Sequence, residues 1–179
     1  MKISALFCRE HVISELRGTT ALEVIDELMT HLVTLGKIAP SLKEPAATAL
    51  KKREKTMSTG IGFGIAIPHA YSDLFHEPII MFGRSSIGID FSALDSQPVK
   101  IVMLVISPEH DRSKHLWIIS SGARLFHNKD IRNSIEHATD PETISDILMN
   151  GASLLIESQK RLEESSTSKQ FLGLNVPKR

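Results

Sequence analysis

The residues with the most chemical potential lie in one stretch, Thr59-Gly60-Ile61-Gly62-Phe63-Gly64-Ile65-Ala66-Ile67-Pro68-His69. Glycines at alternate positions open left-handed backbone conformations and let another molecule come close. His69 follows a proline whose ring fixes the backbone before it, so its imidazole is held in a defined place beside the loop. Near neutral pH an imidazole is substantially unprotonated and is a good nucleophile for phosphorus. A nucleotide-phosphate loop is the obvious alternative, but its context is missing. Such a loop follows a strand and opens a helix. This one follows a helical segment and runs into Pro68, which would break a helix begun at Gly64. On the glycines alone, a flexible turn between helix and strand remains open.

The chain has eight histidines, and most carry no supporting context. His110 and His115 are five apart, which does not put them on one helical face, so a two-histidine metal site is not expected. His76, His127 and His137 read as structural or solvated. Serines and aspartates are too numerous for a Ser-His-Asp match to mean anything. The single cysteine, Cys8, excludes an internal disulfide framework and a cysteine-rich metal cluster. It fits a reducing compartment.

The elements that must hold these residues fit a chain of 179 residues, the length of one domain with an appended tail. A helix is expected over 20–35, where Leu22, Ile25, Leu28, Met29, Leu32 and Leu35 recur at helical spacing. Thr20 and Glu23 offer a capping box, and Gly36 a stop. A second helix is expected from about 44 to 57, with Pro45 in its first turn and Ser41 a competing start. Its inward stripe would be Ala46, Ala49, Leu50 and Arg53. Three strands follow the glycine stretch, over 78–83, 86–91 and 99–106, with a turn at 94–98. The last is an unbroken aliphatic run, the mark of a strand buried on both faces. Helices return from 107 to about 126, from 128, and from 140 to 148, the last continuing over 152–163. Residues 164–179 read as a loose tail. Helices on either side of a strand cluster imply an α/β domain with a covered sheet.

The formal net charge is zero, with 21 basic and 21 acidic residues. A polyanion binder carries a basic surplus, so neither nucleic acid nor a membrane surface is expected as the main partner. The longest apolar run, from Ile101 to Ile106, is about a third of a membrane span, and the amino-terminal apolar run is too short for a signal peptide. A cytoplasmic protein with no direct membrane insertion is expected.

Taken together, Arg53-Glu54 and the stretch from Thr59 to His69 resemble the signature of the fructose/mannitol-type enzyme IIA domains of the bacterial phosphotransferase system, a family that includes the nitrogen-regulatory enzyme IIA proteins. Gly88-Ile89-Asp90-Phe91, with Ala93-Leu94-Asp95 and Pro98-Val99, resembles its second conserved stretch, and His115-Leu116 its third. Three positions depart from the pattern: Phe63, where a polar residue is common; Ser96, where glycine is common; and Tyr71, two residues after His69. The resemblance covers residues 5 to about 150.

The resemblance implies a mixed β-sheet flanked by helices on both faces, in a domain over 1–155 followed by a helix end and tail over 156–179. It implies a phosphohistidine carrier with no cofactor and no metal. His69 would be the phosphorylated nucleophile, with Arg53 and His115 donating to the phosphoryl oxygens. Backbone N–H groups at Gly60, Gly62 and Gly64 would add to them. The implied partners are a histidine phosphocarrier protein as donor, and an enzyme IIB or a regulated target as receiver. With no IIB or transporter domain in these 179 residues, a nitrogen-type regulatory enzyme IIA is expected, and a sugar-transport enzyme IIA or a binding module with little relay activity is the alternative.

Overall fold

The computed structural model describes residues 9–171, with side chains through residue 157. After a short 3-10 turn at Arg9–His11, the elements run β1 (Val12–Ile13), α1 (Ala21–Thr34), α2 (Pro40–Thr56), β2 (Gly60–Gly62), β3 (Ile65–Ala66), β4 (His69–Tyr71), β5 (Ile79–Ile89), β6 (Val99–Ser107), α3 (Arg112–His127), α4 (Lys129–His137) and α5 (Pro141–Phe171).

Local signals start most of the helices where expected. Thr20 and Glu23 form a reciprocal capping box at α1, and Gly36 ends it at φ 67°. Asn128 caps α4 by accepting from Asp130 and Ile131, and Asp140 accepts from Thr143 at the start of α5. Pro108 precedes a 3-10 turn at Glu109–Asp111, so α3 itself begins later than 107, at Arg112, with Asp111 as its cap.

The expected start of α2 is corrected. It begins at Pro40, whose fixed φ suits a first helical position even though Ala39 offers no side-chain cap. Pro45 therefore lies inside the helix, on its exposed side, where the lost N–H is least costly. The buried stripe is Ala46, Ala47, Leu50 and Glu54, so Arg53 sits beside the stripe rather than in it. The two strands expected over 78–83 and 86–91 are one strand, β5, with an irregularity between Arg84 and Ile89. Gly88 sits there at φ 93°, and a Cβ would fall 2.6 Å from Pro98. Helix α5 is continuous to Phe171, without the interruption expected between 148 and 152 and past 163 into the segment read as a tail. The rest of that tail, 172–179, lies outside the described residues.

The six strands form one mixed sheet in the order β1-β5-β6-β3-β2, and β4 pairs with β6 beyond β3. Strands β3 and β4 run parallel to β6, while β5 runs antiparallel to it. Side chains alternate between two cores. Val102, Leu104 and Ile106 pack under α1 and α2, with Ala66 and Ala70. Ile101, Met103 and Val105 pack under α3, α4 and α5, with Ile65 and Ile67. The odd-numbered face of β3 and β4 therefore looks toward α3, and His69 and Tyr71 belong to it. Among the described residues no helix is long and apolar enough to cross a membrane.

Candidate functional site

His69 is fixed by its neighbours along the chain. Pro68 has no N–H to pair, but its carbonyl accepts from Val105 at 2.9 Å, and His69 lies opposite Val105 in the β4–β6 register. The ring's Nδ1 is 2.8 Å from the Ile67 carbonyl. A carbonyl only accepts, so in the neutral ring Nδ1 carries the hydrogen and Nε2 the lone pair. Burial holds the His69 pKa below the ordinary histidine value, against the Ile67 hydrogen bond, and the Arg53 charge adds to the lowering. The ring is therefore a neutral base with its outer nitrogen free.

Helix α3 brings His115 to face it. A Cβ on Gly122 would fall 2.2 Å from the Met103 methyl carbon, so the glycine lets α3 lie close on β6. The rings of His115 and His69 lie 5.5 Å apart at 64°. His115 is only 2% exposed, and its Nδ1 has no hydrogen-bond partner. Burial first, then the proximity of His69, lowers its pKa to about 4. At neutral pH it is an uncharged ring with one N–H to give.

Arg53, in the last turn of α2, is half-buried and donates to the Met57 carbonyl at 2.8 Å. Its influence on His69 is the reach of its charge. Next to it Glu54, 7% exposed, accepts from the Thr59 N–H at 2.9 Å and the Thr59 hydroxyl at 2.6 Å. That pair ties the end of α2 to the glycine stretch. Spacing gave no sign of it, because an acid in a lysine-rich helix end reads as solvated.

The glycines have a structural task that the expectation did not include. They shape a β2–β3 hairpin, with Gly62 at φ 91° and Gly64 at φ 75°. The Gly60 N–H donates to Ser58 Oγ at 3.0 Å, and a Cβ there would fall 2.7 Å from Ala93. The Gly64 carbonyl accepts from Lys100 and Ile101. Asp95 accepts the Phe63 N–H at 2.8 Å and the Gln97 N–H at 3.1 Å, which lowers its pKa and joins the second motif to the first. Tyr71 and Arg112 complete the surroundings, with Tyr71 against His115 and the Arg112 guanidinium 5.3 Å from the Tyr71 ring. Among the described residues no group of His, Cys, Asp and Glu could hold a metal ion. His76 and His110 are exposed, while the His127 ring meets the Phe63 ring and the His137 ring lies against a carbonyl of its own helix.

A family model described as phosphoenolpyruvate-dependent sugar phosphotransferase system, EIIA 2, matches residues 5–151. The chain belongs to that enzyme IIA family. It is 36% identical over 124 residues to the fructose-specific EIIA component of Haloferax volcanii, covering 69% of this chain and 79% of that one. To a nitrogen regulatory protein of Bradyrhizobium diazoefficiens it is 30% identical over 149 residues, covering 83% of this chain and 95% of the relative. The crystal structure of nitrogen regulatory protein IIA-Ntr from Neisseria meningitidis superposes with a TM-score of 0.73 at 26% identity, over 82% of this chain and 98% of that one. The mixed sheet with helices on both faces is the enzyme IIA fold, and both fructose-type and nitrogen-regulatory members are relatives of this chain.

Proposed function

We propose that this enzyme IIA is a phosphohistidine carrier in which His69 takes a phosphoryl group from a histidine phosphocarrier protein. The observation that carries the reading is the state of His69: Nδ1 held by the Ile67 carbonyl, which leaves Nε2 unprotonated, in a ring 5.5 Å from that of His115. The Nε2 lone pair attacks phosphorus as the donor's P–N bond breaks, and the donor ring, which carries a hydrogen on its other nitrogen, takes the bonding pair and leaves as neutral imidazole. The hydrogen on Nδ1 stays there, donated to the Ile67 carbonyl, so no proton has to move at His69. His115 gives its one N–H to a phosphoryl oxygen, and Arg53 turns from the Met57 carbonyl to offset the developing charge. The glycine hairpin gives the approaching protein a close, rigid floor.

Of the possible receivers, a regulated target is the first reading, as for a nitrogen-type enzyme IIA. Its support is the alignment with a nitrogen regulatory protein over 95% of that protein's length. The sugar-relay reading, with an enzyme IIB as receiver, is supported by the 36% identity to a fructose-specific component. One labelling experiment tests the carrier and separates the receivers. Incubation with phosphocarrier, its kinase and labelled phosphoenolpyruvate should give an acid-labile, base-stable label that His69→Ala abolishes. A charge-assisted hydrogen bond is worth roughly 1.5–3 kcal/mol, so Arg53→Gln should slow labelling by about one to two decades. Label that persists in His69→Ala would refute the assignment. Label that then chases onto a fructose-type enzyme IIB would favour relay over regulation.

A further inference from the structure

A histidine working in a site is ordinarily oriented by the hydrogen bond that its other nitrogen makes. His115 lacks that support, since its Nδ1 is buried and unpartnered. What lies against the ring instead is Tyr71, with ring centroids 4.2 Å apart and planes inclined by 36°. That is closer than the 5.5 Å between His115 and His69. Tyr71 is itself well anchored. It is paired with Ser107 of β6 and, two residues from His69, shares its face of the strand. The Arg112 guanidinium stands 5.3 Å from the same ring and is bound to Glu109 at 2.5 Å. Arg112 and His115 are one turn apart on α3, so a single helical turn grips the Tyr71 ring at two points.

We infer that Tyr71 is a positioning residue, whose ring sets the angle at which the His115 imidazole faces His69, with Arg112 holding that ring in place. The inference rests on the carrier reading for its effect on transfer, though the stacking itself does not depend on it. The aromatic face does here what a hydrogen bond to Nδ1 does elsewhere. A misplacement of about 1 Å in a catalytic group can cost roughly a hundredfold in rate. Loss of the ring should therefore be felt in transfer while His69 remains able to accept.

The test measures initial rates of phosphoryl acceptance in wild type, Tyr71→Phe, Tyr71→Leu, His115→Ala and the Tyr71→Leu/His115→Ala double variant, each with its melting transition. Tyr71→Phe keeps the ring and should stay within about twofold of wild type, whereas Tyr71→Leu should lose about tenfold or more. In the His115→Ala background, Tyr71→Leu should add nothing, because the effect passes through a ring no longer there. If Tyr71→Leu does not fold, Arg112→Ala, at an exposed position, replaces it and should show a smaller loss that also vanishes without His115. A wild-type rate in Tyr71→Leu, or an equal loss in Tyr71→Phe, overturns the inference. So does an additive loss in the double variant, which would make Tyr71 a direct contact of the partner protein. The His115 ring resonances give an answer without any transfer: they should move in Tyr71→Leu and hold in Tyr71→Phe. Failure of the wild type to accept label would sink the carrier reading alone, and resonances unmoved in Tyr71→Leu would sink this one.

Discussion

A buried, neutral His115 makes the folded protein sensitive to acid. Burial and the neighbouring His69 hold its pKa at about 4 in the folded chain, against about 6.5 when unfolded. Between those values the unfolded chain binds a proton that the folded chain refuses. Stability therefore rises with pH across this window and is lost as pH falls through it. At about 1.4 kcal/mol per unit, the full shift would remove up to about 3 kcal/mol. His69, also lowered, pulls the same way, and the other charges nearby are Arg53 and Glu54 on α2 and Arg112 on α3. Denaturant unfolding at pH 7 and pH 4.5 should show wild type losing about 2 kcal/mol more than His115→Gln over that step. Equal losses would show that His115 is not the group taking up the proton. Of this residue-level picture, the sequence yielded the suspicion of His69 from Pro68 and the glycines. The pairing with His115 and Arg53 came from family resemblance alone, since alternation on β4 and the close approach of Gly122 to Met103 bring distant positions together without leaving any local spacing.

Among the elements, the turn before β6 carries a strain that the sequence already hinted at. Ser96 stands where glycine is common in the family, and it sits at φ 56°, exposed, with its N–H donating to the Ala93 carbonyl. A non-glycine residue in that region costs on the order of 1–2 kcal/mol, part of which glycine gives back through its extra freedom in the unfolded chain. Ser96→Gly should therefore stabilise by about 0.5–1 kcal/mol and raise the melting temperature by about 1–4 °C, with acceptance of label unchanged. A lower melting temperature would mean that the Ser96 side chain contributes more than its backbone strain costs. Elements that begin with a side-chain cap, such as those at Thr20, Asn128 and Asp140, were legible because the signal is local. Helix α2 was misjudged because a capless start at Pro40 has no such signal, and moving the buried stripe by one position exchanges Arg53 for Glu54. Strands of two or three residues, β1 to β4, are too short for any periodicity to register. Gly83 and the polar run Arg84-Ser85-Ser86 interrupt the apolar pattern of β5 and make one long strand look like two.

At the scale of the molecule, everything in the sheet that touches the site hangs on β6. Its residues supply both cores, and it pairs with β3, β4 and β5. The unbroken run from Ile101 to Ile106 announced this strand plainly, whereas the parallel partners drawn to it from the first half of the chain were hidden. The family match ends at residue 151, inside α5, which continues to Phe171. The arrangement around β6 has a consequence in time. Antiparallel β5 is joined to β6 by a short connection, and α3 follows β6 directly, so both can assemble from nearby chain. Strand β4 must instead come back to β6 in parallel across the whole of β5, the slower kind of closure. Trp117 is the only tryptophan and packs from α3 against the second core, so its fluorescence follows the docking of that helix. During refolding from denaturant, that signal should recover first, and the capacity of His69 to take label should follow with a smaller rate constant. Identical rate constants would instead mean that the scaffold and the proposed His69 site become native in a single cooperative step.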